Sequence, residues 1–133
     1  MSKRILVADR ADGDRRLSEI LAGHEVTFAR TMGEAQRLLE QRDFDLVMVG
    51  VHFDDSRMFD LLRHVRSAGS RHAERPLVCL RSQRFSAAAI SMDGLEIAAR
   101  ALGCHLLLDL TRYPDDEHGN REARKLVDGM LTP

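Results

Sequence analysis

The sequence has few cysteines, almost no net charge and no long apolar run, and each shortage excludes a class of protein. The net charge is −1 at pH 7, which gives no overall attraction to nucleic acid or to an anionic membrane. No apolar segment approaches the length of a membrane span. The N-terminus lacks the long apolar region of a signal peptide, so we expect a cytoplasmic protein.

Residues that carry metal or nucleophilic chemistry are also sparse. Cys79 and Cys104 have no further Cys or His at zinc-like spacing, and the 6 histidines form no closely spaced pair, so no metal site is predicted. We expect the cysteines to stay reduced and Cys79 to be a small core residue. No Gly-rich phosphate loop follows the first apolar run and no nucleophile–base set is evident, which argues against an enzyme.

The 133 residues are expected to form a single domain, 1–133, organised around the apolar run Phe44–Val51. A continuous apolar run of this length predicts a strand buried on both faces of a parallel sheet. Chemistry in such sheets lies at the carboxyl ends of the strands. The residue at that end here is Gly50, which carries no functional group.

Further apolar runs alternate with segments of helical periodicity, separated by short connections. Strands are predicted at Arg4–Ala8, Glu25–Ala29, Pro76–Leu80 and His105–Leu108. Helices are predicted at about Asp12–Ala22, after a capping box at Thr31–Glu34, at about Ser56–Arg66, around Leu95–Leu102 and around Ala123–Met130. Alternating strands and helices are typical of an α/β fold with a doubly wound parallel sheet.

The order and spacing of these segments resemble the receiver domain of bacterial response regulators. The resemblance rests on KRILVADR, FDLVMVGV with the FDLLRHVR helix after it, PLVCLRS and ALGCHLLLD, and it covers nearly the whole chain. It implies a flavodoxin-like, five-stranded sheet of order 2-1-3-4-5 with helices on both faces. It also implies signalling through a phosphorylated aspartate, Mg²⁺ held by an acidic pair, and a Thr or Ser and a Lys that bind the phosphoryl group.

The chain departs from the receiver pattern at most of these positions. Asp9 matches the first acid of the pair, but Arg10 replaces the second, and Gly50 stands where the acceptor aspartate belongs. Arg81 stands at the Thr or Ser position with Ser82 beside it, Asp109 stands at the Lys position if one residue is deleted before the fifth strand, and Leu106 stands at the aromatic switch position. A glycine cannot form an acyl phosphate, and a guanidinium repels a divalent cation. We therefore expect Mg²⁺ binding to be lost and no cofactor to be present.

The charge changes at Arg10 and Asp109 are opposite in sign, which suggests a metal-free ion pair. One hypothesis is that Arg10 pairs with Asp109 or Asp9 across the old pocket; the other is that Arg10 is a solvated residue. Arg81 and Arg84, with Ser82 and Gln83, form either an anion site or, as we favour, a solvated loop.

Two further candidates follow Gly50. Asp54 or Asp55 is an alternative phosphoryl acceptor, although we favour Asp55 or Ser56 as the N-cap of the third helix. His52 lies in a segment, Gly50-x-His52-x-x-Asp55, that keeps only the histidine of the D-x-H-x-x-G motif of cobalamin-binding domains. We interpret His52 as a loop side chain at the rim.

The sequence therefore favours a phosphorylation-independent, receiver-like signalling domain that acts through protein–protein interaction. The resemblance implies a partner surface formed by the fourth helix, fifth strand and fifth helix, which homodimers also use. The apolar segment from Phe85 to Ile90 is either an addition to that surface or an extra helical turn on the core. The alternatives are a response regulator phosphorylated at Asp54 or Asp55, and a small-molecule-binding flavodoxin-like domain.

Overall fold

A computed structural model describes residues 2–82 and 92–131, which form a parallel sheet with helices on both faces. The strands are β1 (Arg4–Ala8), β2 (Glu25–Ala29), β3 (Leu46–Gly50), β4 (Leu77–Arg81) and β5 (Leu106–Asp109). The helices are α1 (Asp14–Ile20), α2 (Met32–Gln41), α3 (Met58–Arg66), α4 (Met92–Ala101) and α5 (Glu117–Leu131), with 3₁₀ turns at Ala11–Gly13 and Leu110–Arg112. The strand order, β2-β1-β3-β4-β5, confirms the predicted topology.

The sheet separates two apolar layers. One layer lies under α2, α3 and α4 and includes Leu39, Leu62 and Ala99, whereas the other lies under α1 and α5 and includes Leu17 and Val127. All five residues of β3 are buried, as expected for a central strand covered on both faces. Among the described residues, no helix combines the length and the apolar character needed to span a bilayer.

Several predicted boundaries shift by one to three residues. α1 starts at Asp14 instead of Asp12, because Ala11–Gly13 forms a separate 3₁₀ turn. The Thr31 side chain accepts a hydrogen bond from the Glu34 amide (3.2 Å), which confirms the N-cap. The Glu34 carboxylate reaches back to the Arg30 amide (2.8 Å), one residue before Thr31. The predicted anion-site residues Gln83 and Arg84 and the apolar segment Phe85–Ile90 lie outside the described residues.

The predicted N-cap of α3 is wrong. The helix begins at Met58 with Arg57 at the cap position and no side-chain cap hydrogen bond. Asp54, Asp55 and Ser56 instead have φ angles of 43°, 56° and 67°, which form a left-handed turn between β3 and the helix. Neither Asp55 nor Ser56 is therefore the cap, because both lie in this turn and the cap position belongs to Arg57.

Candidate functional site

The predicted site residues converge where four strands end. Gly50 closes β3 and pairs in register with Leu80 of β4, while Arg81 pairs with Asp109 of β5. Asp9 directly follows β1, the strand on the other side of β3. Parallel strands bring their carboxyl ends to one edge, so the topology alone gathers these side chains.

The side chain of Asp9 lies directly over Gly50. A Cβ atom built on Gly50 would lie 1.9 Å from Oδ1 and 2.2 Å from Cγ of Asp9, well inside van der Waals contact. Any side chain at position 50 would therefore have to displace the Asp9 carboxyl group. The glycine is what allows this carboxyl group to occupy the centre of the site.

The Asp9 carboxyl group is buried and held by hydrogen bonds. Only 2% of the residue is exposed, and its Oδ2 accepts a hydrogen bond from the Ser82 hydroxyl (3.0 Å). Burial raises the pKa of Asp9, although the Arg10 amide, the Ser82 hydroxyl and the nearby Arg30 guanidinium oppose that rise. The hydrogen-bond donors of the Asp9 carboxyl group, the Ser82 hydroxyl and the Arg10 amide, thus belong to the protein itself.

Arg81 and Asp109 form an ion pair across the ends of β4 and β5. Their closest atoms, Arg81 Nη1 and Asp109 Oδ2, are 3.3 Å apart, and the side chains are only 24% and 12% exposed. The second carboxylate oxygen, Oδ1, accepts hydrogen bonds from the amide (3.0 Å) and the hydroxyl (2.5 Å) of Thr111. Asp109 is therefore both the partner of Arg81 and the cap of the turn that follows β5.

Arg10 does not make the ion pair with Asp109 or Asp9 that one of its two hypotheses proposed. Its Nε lies 3.4 Å from a carboxylate oxygen of Asp12, and its side chain is 54% exposed. The cation that faces Asp109 is Arg81, because the register of β4 and β5 sets their terminal residues side by side. Arg10 contacts the Asp9 carboxyl group through its backbone amide, and the hypothesis of a guanidinium pair with Asp109 is wrong.

His52 lies at the rim of the cleft above Asp9. The cleft leaves no space for a water-sized molecule, and it is lined by Asp9, Arg10, Asp12, Val51, His52, Leu80 and Ser82. Partial burial lowers the pKa of the His52 ring, and the positive charges of Arg10 and Arg81 lower it further. The ring therefore favours its neutral form.

The two aspartates considered as alternative acceptors occupy the left-handed turn. The Asp54 carboxylate accepts a hydrogen bond from the Met32 amide (2.8 Å) at the start of α2 and lies 3.9 Å from Arg57. A carboxylate at the N-terminus of a helix satisfies a free backbone amide and interacts favourably with the helix dipole. Asp55 is exposed in the same turn. Asp54 therefore has a structural role in joining the turn to α2.

Solved structures reveal which known fold this arrangement belongs to. A response regulator from Thermotoga maritima matches with a TM-score of 0.74 at 18% identity, over 100% of both chains. A response regulator from Hahella chejuensis matches with a TM-score of 0.75 at 20% identity, over 98% of this chain and 96% of that one. The chemotaxis response regulator CheY4 of Vibrio cholerae matches with a TM-score of 0.73 at 21% identity, over 98% and 99%.

The chain has the receiver-domain fold. No protein-family model matches the sequence, and no curated protein matches it. The likeness therefore concerns the arrangement of the backbone, which these receiver structures share at about one identical residue in five.

The side chains at the centre of this receiver fold do not suit Mg²⁺. A hard dication needs several free oxygen ligands, but Asp9 is engaged by Ser82 and the carboxylate of Asp12 by Arg10. Asp109 is engaged by Arg81 and Thr111. Within residues 2–82 and 92–131, no group of three or more His, Cys, Asp or Glu side chains has a metal-binding arrangement.

Sequence reasoning missed three features of the site. It treated Gly50 as a lost acceptor, whereas the glycine also makes room for Asp9. It did not consider Arg30, although the Arg30 Nη1 donates to the Asp9 carbonyl (3.1 Å) and its guanidinium pairs with Asp14. It also missed the Arg81–Asp109 pair, which could have been predicted because both residues end neighbouring strands.

Proposed function

We propose that this chain is a receiver-like signalling domain that works by binding a protein partner and does not require phosphorylation. The observation that carries this proposal is the position of the Asp9 carboxyl group over Gly50. In a receiver fold this space belongs to the acceptor side chain, and here an internal carboxyl group fills it. We also propose that the domain has no catalytic activity of its own.

The charges around the site support the same proposal. A transferred phosphoryl group needs cations and hydrogen-bond donors. Here Arg81 is neutralised by Asp109, and the Ser82 hydroxyl is committed to Asp9. Arg10 adds a positive charge where a dication would have to bind. Loss of Mg²⁺ binding is therefore part of the proposal.

We propose the surface formed by α4, β5 and α5 as the partner-binding face. Ile97 on α4 is 71% exposed and Leu126 on α5 is 38% exposed, which is unusual for large apolar side chains in the described part of the fold. A groove of about 180 Å³ also lies on this face, between α4 and the end of β5. Its lining includes Asp93, Glu96, Leu107 and Tyr113. Exposed large apolar side chains are typical of binding surfaces.

The first experiment is intact mass spectrometry after incubation with acetyl phosphate and Mg²⁺. We expect no added phosphoryl group on the wild-type chain. A Gly50→Asp, Arg10→Asp variant restores the acidic residues and serves as the comparison. A phosphoryl group on the wild-type chain would contradict the proposal, and peptide mapping would then show whether Asp54 or Asp55 is the acceptor.

The partner-binding face is tested with matched surface variants. Ile97→Asp changes the proposed face, whereas Ser18→Asp places the same charge on the exposed side of α1. Sedimentation velocity measures self-association, and affinity capture from cells of the source organism, with quantitative mass spectrometry, measures other partners. We expect Ile97→Asp to weaken binding at least tenfold and Ser18→Asp to leave it unchanged. Equal effects of the two variants would contradict the assignment of the face.

A further inference from the structure

Three histidines occupy corresponding positions at the amino edge of the sheet. Each lies before one strand, and its ring nitrogen accepts the backbone amide at or just before the start of the strand beside it. The three bonds run from Lys3 to His24 Nδ1 (3.1 Å), from Phe44 to His72 Nε2 (2.9 Å) and from Leu77 to His105 Nδ1 (3.1 Å). The rings thus supply acceptors at the amino ends of β1, β3 and β4, which are the three central strands.

The role of acceptor makes each of these rings sensitive to acid. A neutral imidazole has one bare nitrogen that accepts a hydrogen bond, whereas a protonated imidazole carries a hydrogen on both nitrogens. Protonation would therefore place an N–H group of the ring against the N–H group of the strand. Histidine is the side chain whose charge ordinarily changes between about pH 5 and about pH 8.

We propose that His24, His72 and His105 form a proton-sensitive latch, in which protonation of the rings releases the loops that carry them from the amino ends of β1, β3 and β4. We call these three residues the amino-edge latch. The device is independent of the proposed function, because the candidate site lies at the carboxyl edge of the same sheet. Acid would thus loosen one edge of the sheet while the other edge keeps its hydrogen bonds.

His72 is the most deeply buried member of the latch. Only 1% of the residue is exposed, and its Nδ1 has no hydrogen-bond partner among the described residues. Burial lowers the pKa of His72, Asp43 opposes this effect, and Arg71 and Arg75 add to it. Because the closed latch resists the proton, acid favours the open form, in which the ring reaches water.

His24 is held between the start of β1 and the helix α5. Its Nε2 lies 3.5 Å from Asp128 Oδ1 and 3.2 Å from Arg124 Nη2. Since Nδ1 accepts the Lys3 amide, the hydrogen of the neutral ring lies on Nε2, where the Asp128 carboxylate accepts it. Protonation adds a hydrogen to Nδ1. It would therefore break the contact with Lys3 and keep the contact with Asp128.

Arg66 joins the other two members of the latch. Its guanidinium donates to the carbonyls of His72 (3.2 Å) and Gly103 (2.8 Å), and its Nη2 lies 3.4 Å from His105 Nδ1. The Arg100 guanidinium donates to the His105 carbonyl (3.2 Å). A hydrogen on His105 Nδ1 would face the Arg66 guanidinium and the first amide of β4, with the charge of Arg100 nearby. Repulsion of Arg66 would also withdraw a donor from the loop of His72, which links the two releases.

The first test determines which nitrogen of each ring carries the hydrogen, by ¹⁵N NMR of the full chain at about pH 7.5. We expect the hydrogen on Nδ1 of His72 and on Nε2 of His24 and His105. His118, on an exposed part of α5, is the internal reference and should show the averaged signals of a ring in exchange with water. A hydrogen on the accepting nitrogen of any of the three rings would overturn the proposal.

Amide hydrogen exchange at about pH 7.5 and about pH 5 measures the release, with each rate corrected for the intrinsic effect of pH. We expect the protection of the Lys3, Phe44 and Leu77 amides to fall at least tenfold in acid. The control is the Val51 amide, which donates to the Leu80 carbonyl (2.8 Å) at the carboxyl edge and should remain protected. Unchanged protection of the three amides would overturn the proposal. So would a loss of protection that Val51 shares, since the whole chain would then be unfolding.

Matched variants separate the rings. His24→Asn and His72→Gln each place an amide oxygen near the lost ring nitrogen, and neither new side chain binds a proton in this pH range. We expect each variant to lose the acid response at its own amide, Lys3 or Phe44, and to keep it at the other. His118→Gln is the control and should respond like the wild-type chain. An acid response that persists at both amides in their own variants would overturn the proposal. If either variant fails to fold, the ring hydrogens and the exchange rates of the wild-type chain still decide it.

Discussion

At the scale of single residues, the main feature of the site is that the Asp9 side chain occupies the space that a side chain at position 50 would fill. Position 50 has no side chain, and the space is filled by Asp9 from the neighbouring strand end. The Asp9 carboxyl group is stable in this buried position because it accepts a hydrogen bond from the Ser82 hydroxyl. A buried polar group without such a donor would be strongly destabilising.

Gly50→Ala should therefore destabilise the fold, because its Cβ would lie 1.9 Å from Asp9 Oδ1. We expect a loss of about 1–3 kcal/mol in the free energy of unfolding, measured with urea. Gly33→Ala is the control, since nothing lies within 4 Å of its added Cβ and alanine favours the helix. In an Asp9→Ala background, the effect of Gly50→Ala should shrink below about 1 kcal/mol; additive effects of the two changes would contradict the steric account.

His72 makes a second prediction, which concerns acid stability. Burial lowers the pKa of His72 below its ordinary value of 6.5, with Arg71 and Arg75 adding to the effect and Asp43 opposing it. Its Nε2 accepts the Phe44 amide (2.9 Å), which a protonated nitrogen cannot do. The unfolded chain therefore binds a proton that the folded chain resists, so stability is lost as the pH falls below 6.5.

Urea unfolding at about pH 7.5 and about pH 5 measures this loss, which should be about 1 kcal/mol or more for the wild-type chain. His72→Gln keeps an acceptor but removes the titration, so its stability should change less between the two pH values. His118→Gln, on an exposed part of α5, should behave like the wild-type chain. The same pH dependence in all three proteins would rule out His72 as the cause.

At the scale of elements, the turn between β3 and α3 is unusual. Three consecutive residues other than glycine have left-handed backbones, and buried Phe53 and the Asp54–Met32 contact hold them in place. Side chains with a Cβ atom oppose this conformation. The energy of the surrounding contacts must therefore exceed the cost of the turn.

Ser56→Gly should stabilise the chain, since its φ of 67° suits glycine better than serine. We expect a gain of up to about 1 kcal/mol in the free energy of unfolding. Ser18→Gly is the matched control in the right-handed backbone of α1, where the same change should cost about 1 kcal/mol. A loss at both positions would indicate that the turn at Ser56 relaxes in solution.

α5 contains two glycines, Gly119 and Gly129, whose replacement by alanine should have opposite effects on stability. A Cβ at Gly119 would lie 1.9 Å from the Pro114 carbonyl oxygen, whereas nothing lies within 4 Å of a Cβ at Gly129. Gly119→Ala should lower the thermal midpoint through a cost of about 1–3 kcal/mol, because the clash is with backbone. Gly129→Ala should raise it by the helix propensity of alanine. Equal shifts would show that α5 starts differently in solution.

At the scale of the whole molecule, surface charge is abundant but contributes little stability. Apart from Arg81–Asp109, each ion pair between described residues has a side chain that is more than a third exposed. Exposed pairs contribute little because water and salt screen them. The fold therefore depends on its two apolar layers.

Raising NaCl from about 0.05 M to about 0.5 M should change the free energy of unfolding by less than about 1 kcal/mol. A double-mutant cycle on Arg81 and Asp109 should give a coupling above about 1 kcal/mol that persists in salt. The exposed pair Arg121–Glu117 is the control, with an expected coupling below about 0.5 kcal/mol. Equal couplings would mean that burial does not distinguish the two pairs.

The sequence predicted the topology because the apolar periodicity of a parallel α/β fold is strong. It also predicted that the candidate site residues lie together, since the carboxyl ends of parallel strands share one edge of the sheet. It could not predict that Asp9 lies over Gly50, because a rotamer choice depends on the space left by a neighbouring strand. It missed the left-handed turn at Asp54–Ser56 because a left-handed backbone is normally predicted from glycine, and none of these residues is a glycine.

The position of Asp9 over Gly50 also constrains how such a chain can change over generations. A single substitution that places an aspartate at position 50 meets an occupied space and must first expel the Asp9 carboxyl group from its bond with Ser82. A descendant that is phosphorylated at position 50 would therefore need coordinated changes at position 50 and around Asp9. Selection for stability would oppose the substitution at position 50 when it occurs without the changes around Asp9.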